Sequence, residues 1–128
     1  NHRHEIAPLS PLARPHVAVI TAIGTAHVGN LGSQAAIAEE KADILLGLEP
    51  HGVAVLPADT PFLPRLRERA REAGAAVITF GEAPEADCRL LATRGDADGV
   101  TAEIELRGAT LPVRIGAPGR HMAPNACA

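Results

Sequence analysis

The 128 residues are 46% apolar and carry 15 acidic against 12 basic side chains, a formal net charge of −3. That is enough material for one core in one domain and gives no overall attraction to nucleic acid or to an anionic membrane. No apolar run approaches the ~20 residues of a membrane-spanning helix, no signal peptide opens the chain, and the two cysteines, Cys88 and Cys127, are too few for a disulfide framework, so reduced thiols in a cytoplasmic protein are expected.

With two phenylalanines and neither tryptophan nor tyrosine, the core must come from Ala, Val, Ile and Leu. This suits a buried parallel sheet under alanine-rich helices and argues against aromatic base stacking. The chain opens on Asn-His-Arg-His and stops at Ala128 inside what reads as a helix start, so a segment of a longer protein is expected.

From Glu5 to Leu12 the sequence is apolar, but Pro8 and Pro11 allow at best a short, broken helix. His16 to Ile23 is a near-continuous β-branched run, as expected for a central strand buried on both faces. Gly24 closes it, and His27 lies just beyond its carboxyl end, where ligands collect in open α/β sheets. His27 reads equally as an exposed loop residue or as a ligand.

Ser33 is the expected N-cap of a helix running to about Leu48. At 100° per residue from Ile37, Ile44 falls at about −20°, Leu48 at about +20°, Lys41 at about +40° and Leu45 at about +80°. Lys41 thus lies inside the apolar stripe, whereas Glu39, Glu40 and Asp43 are expected to point elsewhere. A lysine snorkelling along the core to water is the ordinary explanation.

Val53 to Ala58 reads as a second buried strand. Asp59-Thr60-Pro61 supplies a cap and first-turn proline for a helix through about Ala73, Gly74 ends it, and Ala75 to Phe80 is a third strand. This alternation defines a parallel sheet with crossover helices. After Gly81, short strands are expected at Cys88 to Thr93, Val100 to Leu106 and Thr110 to Ile115. Strict alternation in the middle one and the turns at Asp96–Gly99 and Arg107-Gly108 predict an antiparallel meander with one wet face. There is no G-x-x-x-x-G-K-[ST] loop, and Gly24, Gly29 and Gly32 do not match the dinucleotide fingerprint.

Five stretches in order span the chain: N-H-x-x-E-I, A-R-P-H-V-A-V-I-T-x-I-G-x-A-H, G-S-x-x-x-I-A-x-x-K-A-D-I, G-V-A-V-L-x-A-D and G-R-H-M-A-x-N-A. Together they resemble the central domain of the Mur ligases, most of all those members that join D-alanyl-D-alanine to UDP-N-acetylmuramoyl-tripeptide. The resemblance implies a mostly parallel α/β sheet of the P-loop-NTPase-like kind over residues 1–81, an antiparallel meander over 82–118 and the start of an adenine-contacting helix over 119–128. It also implies a monomeric ligase that uses ATP to make an acyl phosphate attacked by an amine, with no nucleic-acid or membrane partner.

By the same resemblance His27 binds magnesium, and Lys41 is carbamoylated by carbon dioxide to serve the second metal site. Burial disfavours the charged form of an amine, and the neutral amine is the form that reacts with carbon dioxide; a carbamate offers the hard oxygens that magnesium prefers. Asn125 matches an adenine contact with His121 nearby, and Asn1 and His2 match residues near the muramoyl substrate.

Departures from the family pattern fall at Gly29-Asn30-Leu31, at Pro57-Ala58-Asp59-Thr60, at His4 and at Met122 and Pro124. The phosphate loop and the final domain of the family have no counterpart in these residues, so the segment alone is expected to be inactive. Three alternatives stay open: another Mur ligase, a folylpolyglutamate-synthase-like ligase, and a degenerate, non-catalytic binding module.

Overall fold

The computed structural model describes residues 5–24, 33–119 and 121–128. In chain order the elements are α1 (Ile6–Ala13), β1 (Val17–Val19), α2 (Gln34–Ala42) with a 3-10 turn at Asp43–Gly47, β2 (Val53–Pro57), α3 (Leu63–Glu72), β3 (Ala76–Gly81), β4 (Cys88–Asp96), β5 (Gly99–Leu106), β6 (Ala109–Ile115) and α4 (Met122–Cys127). The strands form one mixed sheet in the order β1-β2-β3-β4-β5-β6. β1 pairs with β2 and β3 with β4 in parallel, and β4-β5-β6 are antiparallel. The chain divides into two compact units, residues 1–56 with 60–77 and residues 57–59 with 78–128.

In the first unit, Ala18, Ile20, Ala42, Leu45, Ala54, Leu56, Leu63, Leu66 and Ala70 form the core, with Ile23, Ile44, Leu48, Ala75 and Val77 packed against it. These small and branched side chains let the helices approach the strands closely, as the composition requires. The first segment is a full eight-residue helix despite its prolines. Pro8 falls in the first turn, where an N–H has no partner within the helix; only Pro11 removes a bond from the interior. Arg14, at φ 47°, closes α1 with its N–H on the Ser10 carbonyl at 3.1 Å.

The strand expected over residues 16–23 is only Val17–Val19, and it is not buried on both faces. Among the described residues β1 has β2 as its only ladder neighbour; Val17 and Val19 on one face are exposed, while Ala18 and Ile20 on the other are buried. One further bond, from Ile20 N–H to the Val55 carbonyl at 3.0 Å, carries the pairing just past its end.

Ser33 caps α2 as expected, its Oγ accepting from the Ala36 N–H at 3.1 Å. The expected helix to Leu48 tightens at Asp43 into a 3-10 turn, because its end is bolted to α1. Buried Ser10 accepts from the Gly47 N–H at 3.0 Å through its Oγ and donates to the Ile44 carbonyl. A Cβ at Gly47 would lie 2.0 Å from the Ser10 carbonyl oxygen, so nothing larger than glycine lets the two segments meet.

In the second unit Val100, Ala102 and Ile104 are buried on one face of β5, and α4 packs on β4, β5 and β6, contributing buried Ala123 and Cys127. The alternation fails at Leu106, which is exposed beside the turn. Arg107 and Gly108 are both left-handed, at φ 53° and 78°, as a tight two-residue hairpin needs. At the other turn Asp96 Oδ1 accepts from the Asp98 N–H at 2.9 Å, and Arg114 grips both Asp96 oxygens at 2.7 and 2.8 Å.

Candidate functional site

Lys41 lies on the last turn of α2. Its half-buried side chain runs along a groove of about 180 Å³ shared with Ile6, Val19, Ile20, Thr21 and Ile44. The ammonium donates to the Ala22 carbonyl at 2.6 Å, three residues beyond the end of β1. The apolar stripe anticipated this course, and the side chain ends at a backbone carbonyl just past the carboxyl end of a parallel strand, the edge where α/β sheets bind ligands.

Three acidic residues fix α2 and the turn after it in the orientation that aims Lys41. Glu40 is buried rather than turned outward as expected: its Oε1 accepts from the N–H groups of Glu5 and Ile6 at 2.9 and 3.0 Å. A carboxylate thus caps the first turn of α1, where free N–H groups and the positive end of the helix dipole favour an anion. On the outer side Arg65 forks onto Glu39 at 2.6 and 3.1 Å, and Arg69 reaches Asp43 at 2.8 Å, tying α2 to α3. The Arg65 hydrogen bond holds the Glu39 carboxyl below its ordinary 4.5.

Asp59 was expected to cap α3 and does not. Its two oxygens accept from the Glu82 and Ala83 N–H groups at 2.8 and 2.7 Å, closing the loop after β3, and Gly81 makes room for it: a Cβ there would lie 2.1 Å from Asp59 Oδ2. The start of α3 carries Pro64 and not Pro61 as its first-turn proline, with Thr60 Oγ1 accepting from the Phe62 N–H at 3.3 Å.

His121 and Asn125 belong to the second unit, in and just before α4. Both are exposed and, four residues apart, fall on one helical face. The His121 ring lies against Gly119, where a Cβ would approach its Cε1 to 2.6 Å. Lys41 belongs to the first unit. Asn1, His2 and His27 lie outside the described residues, as does Gly29-Asn30-Leu31. Among the described residues no group of three or more His, Cys, Asp or Glu side chains is gathered to hold a metal ion. No described helix is long and apolar enough to cross a membrane.

Residues 1–128 match the Mur ligase middle domain. A UDP-N-acetylmuramate--L-alanine ligase of Mycobacterium marinum is 39% identical over 120 residues, 88% of this chain and 24% of that protein. A UDP-N-acetylmuramoyl-tripeptide--D-alanyl-D-alanine ligase of Synechocystis is 35% identical over 124 residues, 96% of this chain and 24% of that protein. Among solved structures, MurF from Acinetobacter baumannii superposes with a TM-score of 0.88 at 30% identity, covering 98% of this chain and 27% of that one. A MurF ligase of Thermotoga maritima in complex with ADP gives 0.80 at 25% identity over 98% of this chain and 29% of that one. The chain therefore spans about a quarter of the length of the relatives it matches.

Proposed function

The chain belongs to the Mur ligase middle-domain family, and from that premise we propose that it is the central, nucleotide-handling part of a cytoplasmic, ATP-dependent amide ligase of peptidoglycan precursor synthesis. The substrates we assign are UDP-N-acetylmuramoyl-tripeptide and D-alanyl-D-alanine. The observation that carries this reading is the family match over the whole chain together with the 0.88 superposition on a MurF structure.

In this reading ATP phosphorylates the tripeptide carboxylate, and the amine of the dipeptide displaces the phosphate. Lys41, carbamoylated on Nζ, and His27 serve as magnesium ligands. Within the described residues the donor set is only partly present: Lys41 supplies one side, His27 lies outside them, and no group of three or more His, Cys, Asp or Glu side chains is gathered there. Bound magnesium would neutralise charge on the transferring phosphoryl group. The chain's own contribution is positioning: the Ser33 cap, the Glu40 anchor and the Arg65 and Arg69 ties hold α2 so that Lys41 Nζ sits past the carboxyl end of β1. Asn125 and His121, exposed on one face, are the adenine contacts, and Asn1 and His2 approach the muramoyl substrate.

A second reading, addition of L-alanine to UDP-N-acetylmuramate, is favoured by the 39% identity to the mycobacterial ligase. Phosphate release by the full-length protein with each substrate pair separates the two. The first reading expects turnover with the tripeptide and D-alanyl-D-alanine and at least ~100-fold less with UDP-N-acetylmuramate and L-alanine. The reverse preference overturns it in favour of the second.

A further inference from the structure

Two directions are fixed at the Lys41 nitrogen. One is the bond to Cε, because the stem lies in a groove of about 180 Å³ with Ile6, Val19, Ile20, Thr21 and Ile44 on a helix pinned through Glu40 and Arg65. The other is the hydrogen given to the Ala22 carbonyl at 2.6 Å. Lys41, Ala22 and the groove all belong to the first unit.

An ammonium has three hydrogens to give, and one acceptor does not set what else it can do. A carbamate nitrogen is different. It is planar for the resonance reason that makes a peptide nitrogen planar, and it carries a single hydrogen. With Cε and that hydrogen held, its third substituent has one direction left.

We propose that the Ala22 carbonyl is the positioning group for the Lys41 carbamate, accepting its single N–H and so turning the carboxylate away from Ala22. This rests on the carbamoylation reading above and adds to it the group that aims the product. In that step the lone pair of the neutral Nζ attacks carbon dioxide. The N–C bond forms, one C=O electron pair moves onto oxygen, and the nitrogen passes one of its two protons to water; the other stays as the N–H on Ala22. Rotated the other way, the new carboxylate would face the Ala22 oxygen, where like charges repel, and the N–H would lose its acceptor. A metal-binding histidine is aimed in the same manner, by the acceptor on its other N–H.

The test reads the carbonyl itself. Full-length protein carrying ¹³C at alanine carbonyls and ¹⁵N in isoleucine gives a correlation signal for the Ala22-Ile23 pair, identified by its loss in Ile23→Val. The Ala22 carbonyl shift is compared in wild type freed of carbon dioxide, in wild type with ¹³C-bicarbonate, and in Lys41→Met, which has no donor. The expected result is an upfield shift in Lys41→Met alone, with the wild-type value kept when the carbamate carbon signal appears. A carbamate signal accompanied by an Ala22 shift to the Lys41→Met value overturns the proposal and leaves the carbamoylation reading standing. An Ala22 shift unchanged in Lys41→Met also overturns it. Absence of a carbamate signal at saturating bicarbonate overturns both.

Discussion

The unit built on β1 and β2 is held by contacts between residues far apart in sequence, whereas the unit of the meander is held largely by contacts between near neighbours. In the first, Ser10 reaches Gly47 and Glu40 reaches Glu5 and Ile6, each spanning more than thirty positions. In the second, two hairpins supply the ladder, and buried Thr79 and exposed Asp87, eight residues apart, bind each other three times at 2.7 to 3.1 Å. A hairpin that loses one bond keeps its neighbours along the ladder, while α1 is held by a few separate long-range bonds. In the first unit Lys41 is aimed by such long-range anchors.

The largest stability effect is therefore expected at Gly47. Gly47→Ala places a methyl group against the Ser10 backbone, which can yield only if α1 moves, and should cost about 4 kcal/mol in urea denaturation. Gly81→Ala is its counterpart in the second unit. It meets the Asp59 carboxylate, which can swing away at the loss of its two N–H bonds, and it imposes a side chain at φ 143°, for about 2–3 kcal/mol. Equal costs at the two glycines would erase the contrast between the units.

Glu40→Ala should cost about 1–2 kcal/mol and raise amide hydrogen exchange first at Glu5 and Ile6. A pH effect is expected in the second unit, from burial of the Cys127 thiol. The Cys127 thiol is raised from an ordinary 9.0 to about 12, so the folded state favours the protonated form. The stability this gives is fully present below pH 9 and is lost as pH rises from 9 toward 12. Urea midpoints of the native protein should fall through that window more steeply than those of Cys127→Ala.

Local signals in the sequence were sufficient where the answer was local. Ser33 before an apolar period, Gly74 after one, and the alternation from Val100 to Ile104 each state their structure within a few residues, and the mixed sheet follows from them. Three misreadings came from distance. Asp59-Thr60-Pro61 has the chemistry of a helix cap, yet the end of β2 sets Asp59 beside the loop after β3, whose two N–H groups outcompete the helix. Glu40 sits at about −60° on the helical wheel, farther from the stripe's centre than Leu45 at about +80°; its burial comes from α1, whose first N–H groups it caps, and the wheel does not show that. The run from His16 to Ile23 has the composition of a strand buried on both faces, but composition does not say whether both faces are covered, and Val17 and Val19 are exposed.

For the site, the lysine in an apolar stripe was visible by periodicity alone, and its partner carbonyl at Ala22 was not, because a hydrogen bond across nineteen residues leaves no pattern.

The central claim is that Lys41 is part of the ligation machinery. Lys41→Ala in the full-length protein, assayed for ATP-dependent phosphate release with UDP-N-acetylmuramoyl-tripeptide and D-alanyl-D-alanine, tests it most directly. Since Lys41 is half-buried and makes one hydrogen bond to Ala22, its removal should change stability by no more than about 1 kcal/mol, so loss of activity will not reflect unfolding. The account predicts that ligation is abolished and that added bicarbonate does not restore it; near-normal turnover in this variant would contradict it.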